Sequence, residues 1–276
     1  MDTADIIYWI FGKGPSPRKN FLLWIRKKPI FLIHWIGSDV LNEKNENPRK
    51  ILPKLYSLLL NILIKFKTKR GGIINFAVTP WLVDELQNLN ISSIYVPLTS
   101  IDKSKLGNNT GPFVKEFDFI SYVPSNRFEF YGGDKIIDLA KRWTDYKFLI
   151  IHSDLDEIPL EYSKKMPSNV VFSPRITGTP LYDLYRRSKV FIRFTKHDGL
   201  SLSVLESMYY KLQVLWVYDF PYTIKIKDQN WLSDSIPEII NNWQPNEDGS
   251  KFVLEKFSIS SWKTDFLTAI KQNIKF

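Results

Sequence analysis

Strand-like runs rich in Ile, Val, Phe and Tyr alternate with segments of helical periodicity along most of this chain, and this alternation limits the possible folds most strongly. Such an order favours parallel strands joined by crossover helices, so the sequence predicts a doubly wound α/β protein. From Trp231 onward the patterns are helical. The predicted strands are DIIYWI, PIFLIHWI, GIINFAV and SIYVPL in the first part, then FDFISYV, KFLIIHS, NVVFSP, KVFIRFT and QVLWVY.

A polar, glycine-bearing patch, DKSKLGNNTGPF at 102–113, separates the two series of strands and is typical of a domain linker. At 276 residues the chain is long enough for one large core or two modest ones. The sequence therefore predicts a small N-terminal α/β domain over 1–113 and a second α/β domain over 114–250. A helix over 251–276 is expected to pack back on the first domain.

Composition excludes several classes of chemistry. The absence of cysteine excludes disulfides, thiolate catalysis and Cys-ligated zinc, and three scattered histidines argue against a His-based metal site. Lys and Arg outnumber Asp and Glu by 38 to 29, a formal net charge of +9, so the surface should attract polyanions, anionic lipid or phosphorylated ligands. The N-terminal apolar stretch is too short for a signal peptide and has no basic flank, so a cytoplasmic location is expected.

The most apolar segment, KILPKLYSLLLNILIKFKTKR, lies within 49–70. Lys54 and Lys65 interrupt it, and its uncharged part is well short of the ~20 residues that a membrane span needs. It has the pattern of a basic amphipathic helix, with Lys50, Lys54, Lys65, Lys67 and Lys69 around the apolar run LYSLLLNILI. Such a helix either packs on the core with its basic face in solvent or lies on an anionic membrane surface, and the sequence leaves both open.

Two carboxylates in HDGLSLSVLE, Asp198 and Glu206, mark the candidate site. The predicted strand KVFIRFT leads into the Asp-Gly turn, which places this turn at the carboxyl end of a parallel strand, where open α/β sheets bind ligands. Ser201 can cap the following helix, whose first backbone N–H groups favour a phosphate. At ~1.5 Å per residue, Glu206 lies roughly 7 Å along the helix, about the span from a diphosphate to a ribose.

The stretch RFTKHDGLSLSVLESMYYKLQVLWV resembles the signature of retaining GT-B-fold glycosyltransferases, in particular glycosyltransferase family 4, in which seven residues separate two acidic residues. The resemblance continues in the family's order over 30–100 and 114–220. It implies two Rossmann-like domains and a nucleotide-diphospho-sugar donor. It also implies that Glu206 binds the ribose hydroxyls, that Asp198 contacts the transferred sugar, and that the amides of Gly199, Leu200 and Ser201 receive the diphosphate.

The sequence departs from the family pattern in three places. The first acid is Asp198 where the family usually has Glu. Arg127 matches an expected diphosphate contact, but Tyr131-Gly132 stands where the family has Lys-Gly, so another cation is needed. Candidates for that cation are Arg193, Lys196 and Lys13. The first domain is also shorter than that of a full family member, so a truncated first domain is expected.

The remaining candidate residues have two readings each. Arg193 lies in an apolar strand, where it is either at a solvated edge or in contact with phosphate. His34 ends a strand, as a core or capping residue or as part of the donor or acceptor site. Arg175 in SPRITG either flanks the nucleobase pocket or belongs to an ordinary loop, and Ser153, the last residue of KFLIIHS, is predicted to bind donor.

These observations lead to the hypothesis of a retaining, metal-independent glycosyltransferase without a cofactor. Its donor would be a nucleotide-diphospho-sugar, and its acceptor a glycan or a lipid-linked or other molecule. Arg127, Arg193, Asp198 and His34 are the candidate catalytic residues. Two alternatives remain: a nucleotide-sugar epimerase of the same fold, and a non-enzymatic protein that binds nucleic acid or another polyanion. No specific nucleic acid is expected, and the oligomeric state is left open.

Overall fold

The computed structural model describes residues 5–11, 22, 24–26, 29–44, 59, 62–64, 66–98, 100–109, 111, 113–154, 156–164 and 166–273. These residues form two compact units. The first unit contains the described residues of 1–99, 197–200 and 262–276, and the second contains those of 100–196 and 201–261. The chain therefore crosses between the units at 99/100 and at 261/262, and enters and leaves the first unit once more at 197–200.

The described strands of the first unit form a four-stranded parallel sheet in the order β1-β2-β3-β4. All four were predicted, although the fourth is shorter than SIYVPL. Its core joins Leu32, Phe76 and Val96 to Ala269 of the C-terminal helix. The elements are β1 Ile6–Ile10, β2 Ile30–Trp35, α1 Ser38–Lys44, β3 Ile73–Ala77, α2 Pro80–Asn88 and β4 Ile94–Tyr95.

The second unit contains a six-stranded parallel sheet with helices before and after its strands. The apolar runs were correct predictors here because the central strands of this sheet are buried on both faces, and the strand Phe148–Ile151 is buried along its whole length. Its elements are α3 Lys103–Leu106, β5 Phe117–Tyr122, a 3-10 turn Ser125–Arg127, α4 Gly133–Arg142, β6 Phe148–Ile151, α5 Leu160–Ser163, β7 Val170–Ser173, α6 Thr179–Arg186, β8 Ser188–Arg193, α7 Leu202–Tyr209, β9 Gln213–Trp216, β10 Ile224–Lys225, α8 Gln229–Asn241, α9 Glu247–Lys256 and the start of α10 Ile259–Asn273.

The strand order in this sheet is β10-β9-β8-β5-β6-β7, and it fixes where a ligand can bind. The chain runs outward from β5 through β6 to β7, then returns to the other side of β5 with β8. The order therefore reverses between β5 and β8, which are joined over residues such as Ser121 and Ile192. In doubly wound sheets such a switch point opens a crevice at the carboxyl ends of the strands.

The polar patch at 102–113 has more structure than a linker. Asp102 caps α3 through its carboxylate, which accepts from the Ser104 amide at 3.1 Å. The Tyr209 hydroxyl donates to the Gly107 carbonyl at 2.6 Å, and the Asn109 amide donates to the Tyr209 carbonyl at 2.8 Å. These bonds hold the patch within the second unit.

Only residues 59, 62–64 and 66–70 of the basic segment at 49–70 are described, and all but the turn residue Arg70 are helical. Lys50, Lys54 and Lys65 lie outside the described residues. Lys67, which the pattern placed on the basic face, is 1% exposed, and its ammonium donates to the Arg26 carbonyl at 3.0 Å. Within the described part of the chain, no helix has the length and apolar character needed to cross a bilayer.

Candidate active site

A cavity of about 480 Å³ opens at the switch point of the second unit, and we call it the strand-end cavity. It lies at the carboxyl ends of β5, β6 and β8, and α6 and the start of α7 complete its wall. Its size is within the usual range for a small-molecule site. The lining residues are Tyr122, Tyr131, His152, Thr177, Gly178, Leu181, Tyr182, Tyr185, Arg193, Ser201, Leu202, Ser203 and Glu206.

Glu206 supplies the carboxylate of this cavity. It lies in α7, is 8% exposed, and was one of the two acids singled out in the sequence. Burial raises its pKa to about 7, because removal from water disfavours the charged form. The buried Tyr185 hydroxyl interacts with this carboxylate and lowers the pKa, although the two groups do not meet the geometry of a full hydrogen bond. A ligand hydroxyl would find in Glu206 a strong acceptor.

Arg193 supplies positive charge to the same cavity. It ends β8, which lies between β9 and β5, so the reading as a solvated edge residue is wrong. It is 5% exposed, and its guanidinium lies 5.3 Å from the Tyr122 ring centroid and 4.7 Å from that of Tyr131. The two rings restrict where the guanidinium can point. Tyr131, found in place of the family's lysine, thus packs against the arginine.

The amino end of α7 forms another part of the cavity wall. Ser201 is the N-cap residue, as predicted, but its side chain caps no backbone N–H. Its hydroxyl instead lies 2.9 Å from that of Ser203. The first N–H groups of a helix have no intrahelical partner and carry a positive partial charge, so this end favours an anion.

Two tyrosines on α6, Tyr182 and Tyr185, line the cavity and were not singled out in the sequence. Their spacing of three residues places both on one face of a helix over PLYDLYRRS, and this spacing is the signal that could have found them. The Tyr185 ring is fully buried and lies 5.9 Å from the Tyr210 ring in a stacked arrangement. These rings form an apolar, aromatic wall beside Glu206.

His152 is a further lining residue that the sequence interpretation missed, although it lies within the predicted strand KFLIIHS. Its backbone is left-handed, with φ of 66°, which is unusual for a non-glycine residue and is often found at functional sites. Its ring lies 4.7 Å from the Tyr122 ring. Burial and the nearby Arg175 lower its pKa, while a hydrogen bond with the Ile176 backbone opposes them. Its imidazole is therefore neutral at pH 7.

Three predicted cations do not line the cavity. Arg127 is exposed in the 3-10 turn, and its guanidinium lies 3.9 Å from the Phe130 ring centroid. Lys196 is exposed two residues after β8, and its amide donates to the Phe130 carbonyl at 2.9 Å. Arg175 is exposed after β7, close enough to His152 to act on its pKa. Lys13 lies outside the described residues.

His34 and Ser153 are buried instead of presented to a ligand. His34, in β2 of the first unit, is fully buried; its Nε2–H donates to the Val96 carbonyl at 2.8 Å, and its Nδ1 accepts from the Tyr8 hydroxyl at 2.7 Å. Burial lowers its pKa to about 4, so it is neutral at pH 7. The Ser153 hydroxyl, also fully buried, donates to the Val123 carbonyl. Both polar groups are used inside the protein.

The turn that carries Asp198, Gly199 and Leu200 belongs to the first compact unit, whereas Ser201 and Glu206 belong to the second. Asp198 is half-buried, Leu200 is 7% exposed, and none of these three is among the residues that line the strand-end cavity. The structure thus brings Glu206, Arg193 and Ser201 together. A role for Asp198 and for the Gly199 and Leu200 amides stays a prediction.

The cavity offers groups for a phosphorylated, hydroxyl-bearing ligand. Glu206 can accept from hydroxyls, whereas Arg193 and the amino end of α7 can bind phosphate. Among the residues that the structure describes, no three His, Asp or Glu side chains gather where they could hold a metal ion.

Solved structures with the same architecture identify the fold. TarM of S. aureus matches with a TM-score of 0.66 at 18% identity, over 95% of this chain and 54% of its own. The chain has the GT-B fold. Pneumococcal GtfA, an O-GlcNAc transferase in complex with UDP and GlcNAc, matches at 0.60 and 13% identity, over 96% and 56%. Sucrose-phosphate synthase from Thermosynechococcus elongatus matches at 0.68 and 13%, over 97% and 73%.

At these identities the likeness shows the GT-B fold alone. The chain spans about half the length of TarM and GtfA. No protein-family model matches the sequence, and no curated protein matches it. The α/β class, the two Rossmann-like units and the helical C-terminus that the sequence predicted are confirmed by this fold.

Proposed function

We propose that this chain is a retaining, metal-independent glycosyltransferase that moves a sugar from a nucleotide-diphospho-sugar to a glycan or lipid-linked acceptor. The observation that carries the proposal is the convergence of Glu206, Arg193 and the amino end of α7 on one cavity at the switch point. The carboxylate can bind the ribose hydroxyls of a nucleoside diphosphate, and the two positive groups can bind its diphosphate. The GT-B fold, which is shared with glycosyltransferases, supports the same reading.

In the proposed complex the Glu206 carboxylate accepts hydrogen bonds from the ribose hydroxyls. The diphosphate lies against the first amides of α7 and the Arg193 guanidinium, which replaces the lysine missing at Tyr131. Asp198 contacts a hydroxyl of the transferred sugar, and the Gly199 and Leu200 amides extend the phosphate site. Because GtfA is described with UDP, a uridine nucleotide is the first donor to test.

The proposed reaction breaks the bond between the anomeric carbon and the diphosphate oxygen and forms a bond from that carbon to the acceptor oxygen. The transition state has an oxocarbenium-like sugar and negative charge on the departing diphosphate. Arg193 and the α7 amides stabilise that charge, because fixed positive groups at a buried site are strong electrostatic catalysts. The acceptor attacks from the face that the diphosphate leaves, and its proton passes to the leaving phosphate oxygen.

The acceptor side and the location are part of the same proposal. We place the acceptor on the first unit and the protein in the cytoplasm, with the basic segment at 49–70 on an anionic membrane surface. Leu59, Ile62 and Phe66 are each at least 40% exposed in the described part of this segment, which supports contact with lipid. Lys67, which is buried, is not part of that surface.

A melting-temperature screen with UDP, GDP, ADP and their glucose and N-acetylglucosamine derivatives tests the proposal. At least one nucleotide should raise the melting temperature, because a ligand that binds only the folded state stabilises it. Incubation of that nucleotide sugar alone should release nucleoside diphosphate slowly by hydrolysis. If no nucleotide shifts the melting temperature at millimolar concentration, the donor site is refuted; isomerisation of the sugar without acceptor would favour the epimerase.

A further inference from the structure

The turn that precedes α7 is held by other elements of the first unit. Trp81 and Glu85 lie four residues apart on α2, so both side chains project from one face of that helix. The Trp81 indole N–H donates to the Asp198 carbonyl at 2.9 Å. His197 Nε2 lies 2.9 Å from Glu85 Oε2, with the two side chains only 7% and 18% exposed.

Close backbone packing fixes the same turn from a second direction. A Cβ atom on Gly199 would lie 2.0 Å from the Ile36 carbonyl oxygen and 3.3 Å from a Val78 methyl group. One on Gly37, whose φ is 129°, would lie 2.9 Å from the Gly199 amide nitrogen. Neither glycine can carry a side chain without displacement of backbone. The turn therefore rests directly on the loops after β2 and β3.

We infer that Trp81 and Glu85 are positioning residues that hold the Asp198 turn in place for the intact sugar donor. The inference rests on the proposed function, because it takes Asp198 to contact the transferred sugar. Three consecutive residues of the turn are held. Glu85 holds the His197 ring, and Trp81 holds the Asp198 carbonyl. The Ile36 carbonyl packs closely against Gly199. The backbone that carries the carboxylate is thus held in place, as a group near a reacting centre needs.

This arrangement predicts different effects on the two parts of the donor. Trp81→Phe keeps an aromatic ring but removes the N–H donor, and Glu85→Ala removes the carboxylate beside His197. Each substitution should weaken binding of the intact nucleotide sugar, or slow its turnover, about tenfold. This factor is at the upper end of the effect expected for the loss of one hydrogen bond. Affinity for the matching nucleoside diphosphate should change less than threefold. Glu85→Gln can still form a hydrogen bond with His197, so it should keep most of the wild-type donor affinity and turnover.

Matched controls are present in the same unit. Trp262→Phe removes an indole N–H that has no hydrogen-bond partner among the described residues, and Asp84→Asn removes the exposed carboxylate next to Glu85. Both should leave donor and nucleotide affinities unchanged. The probes are UDP, GDP and ADP with their glucose and N-acetylglucosamine derivatives, measured by calorimetry.

Hydrogen exchange over residues 197–201 gives a readout that needs no ligand. It should be faster in Trp81→Phe and Glu85→Ala than in the wild type and the two controls. Unchanged exchange in both variants, or donor and nucleoside diphosphate affinities that fall equally, would overturn the inference. If no nucleotide binds the wild type, both the proposed donor site and this inference are wrong. Faster exchange in the variants would then show only that Trp81 and Glu85 stabilise the turn.

Discussion

At the scale of single residues, Glu206 combines a carboxylate with a buried position, and this combination gives the site a measurable pH dependence. Burial raises its pKa to about 7, so near neutral pH the unliganded protein contains both charge states. The proposed ribose contact needs the ionised form, because a carboxylate accepts stronger hydrogen bonds than a carboxylic acid. Ligand binding should therefore be accompanied by proton release from Glu206.

Nucleoside diphosphate affinity should consequently rise between pH 6 and pH 8. Below its pKa, Glu206 must lose its proton to bind, so affinity should fall up to about tenfold per pH unit. Calorimetry at pH 6.5 in buffers of different ionisation enthalpy should detect proton release. The phosphate titrates as well, so Glu206→Gln is the control that isolates the carboxylate. Equal pH dependence in the variant and the wild type would contradict the assignment.

At the scale of elements, sequence patterns located strands and helices but not every functional position. The runs that became β5, β6 and β8 were found because buried parallel strands are continuously apolar, and α7 because it follows such a strand. The two-residue strand β10 was not among the predicted strands. Arg193, Ser201 and Glu206 were found from the strand end and the spacing of the acids. The prediction that Lys67 lies on an exposed basic face was wrong, because helical periodicity does not reveal a hydrogen-bond partner distant in sequence, here the Arg26 carbonyl.

The turn that leads into α4 has a geometry that only glycine can adopt. Gly132 has φ of 77°, and a Cβ there would lie 2.2 Å from the Phe194 carbonyl oxygen. Gly132→Ala should therefore destabilise the protein by on the order of 3 kcal/mol, from left-handed strain and displaced backbone together. Gly71 has φ of 68° with nothing within 4 Å of a Cβ, so Gly71→Ala should cost only about 1 kcal/mol. Equal losses in urea unfolding would show that the contact with Phe194 has no effect.

At the scale of the whole molecule, a net charge of +9 is compatible with an anionic surface, and the described part of 49–70 shows which side chains can meet it. The exposed Leu59, Ile62 and Phe66 provide apolar area, and Lys69 is exposed beside them. Lys67 is buried, so its charge cannot contribute in the same way. Helical periodicity alone does not distinguish these two lysines.

Co-sedimentation with vesicles containing anionic lipid should therefore distinguish two neighbouring substitutions. Lys69→Gln should weaken binding about fivefold, since one lysine near such a surface contributes about 1 kcal/mol. Lys67→Gln should leave vesicle binding nearly unchanged while it lowers stability. Binding should also decrease with salt. Equal binding to neutral vesicles, or none to either kind, would remove the membrane from the proposal.

The central claim is that the strand-end cavity binds a nucleotide sugar through separate contacts to its two ends. Calorimetric titration of the wild type, Glu206→Gln and Asp198→Asn with the tightest-binding nucleoside diphosphate and its sugar derivative tests this most directly. Glu206→Gln should weaken binding of the nucleoside diphosphate by roughly 1 to 3 kcal/mol. Asp198→Asn should leave that affinity nearly unchanged and weaken only the sugar derivative or slow its turnover. Nucleoside diphosphate affinities that fall equally in both variants, or that change in neither, would contradict the account.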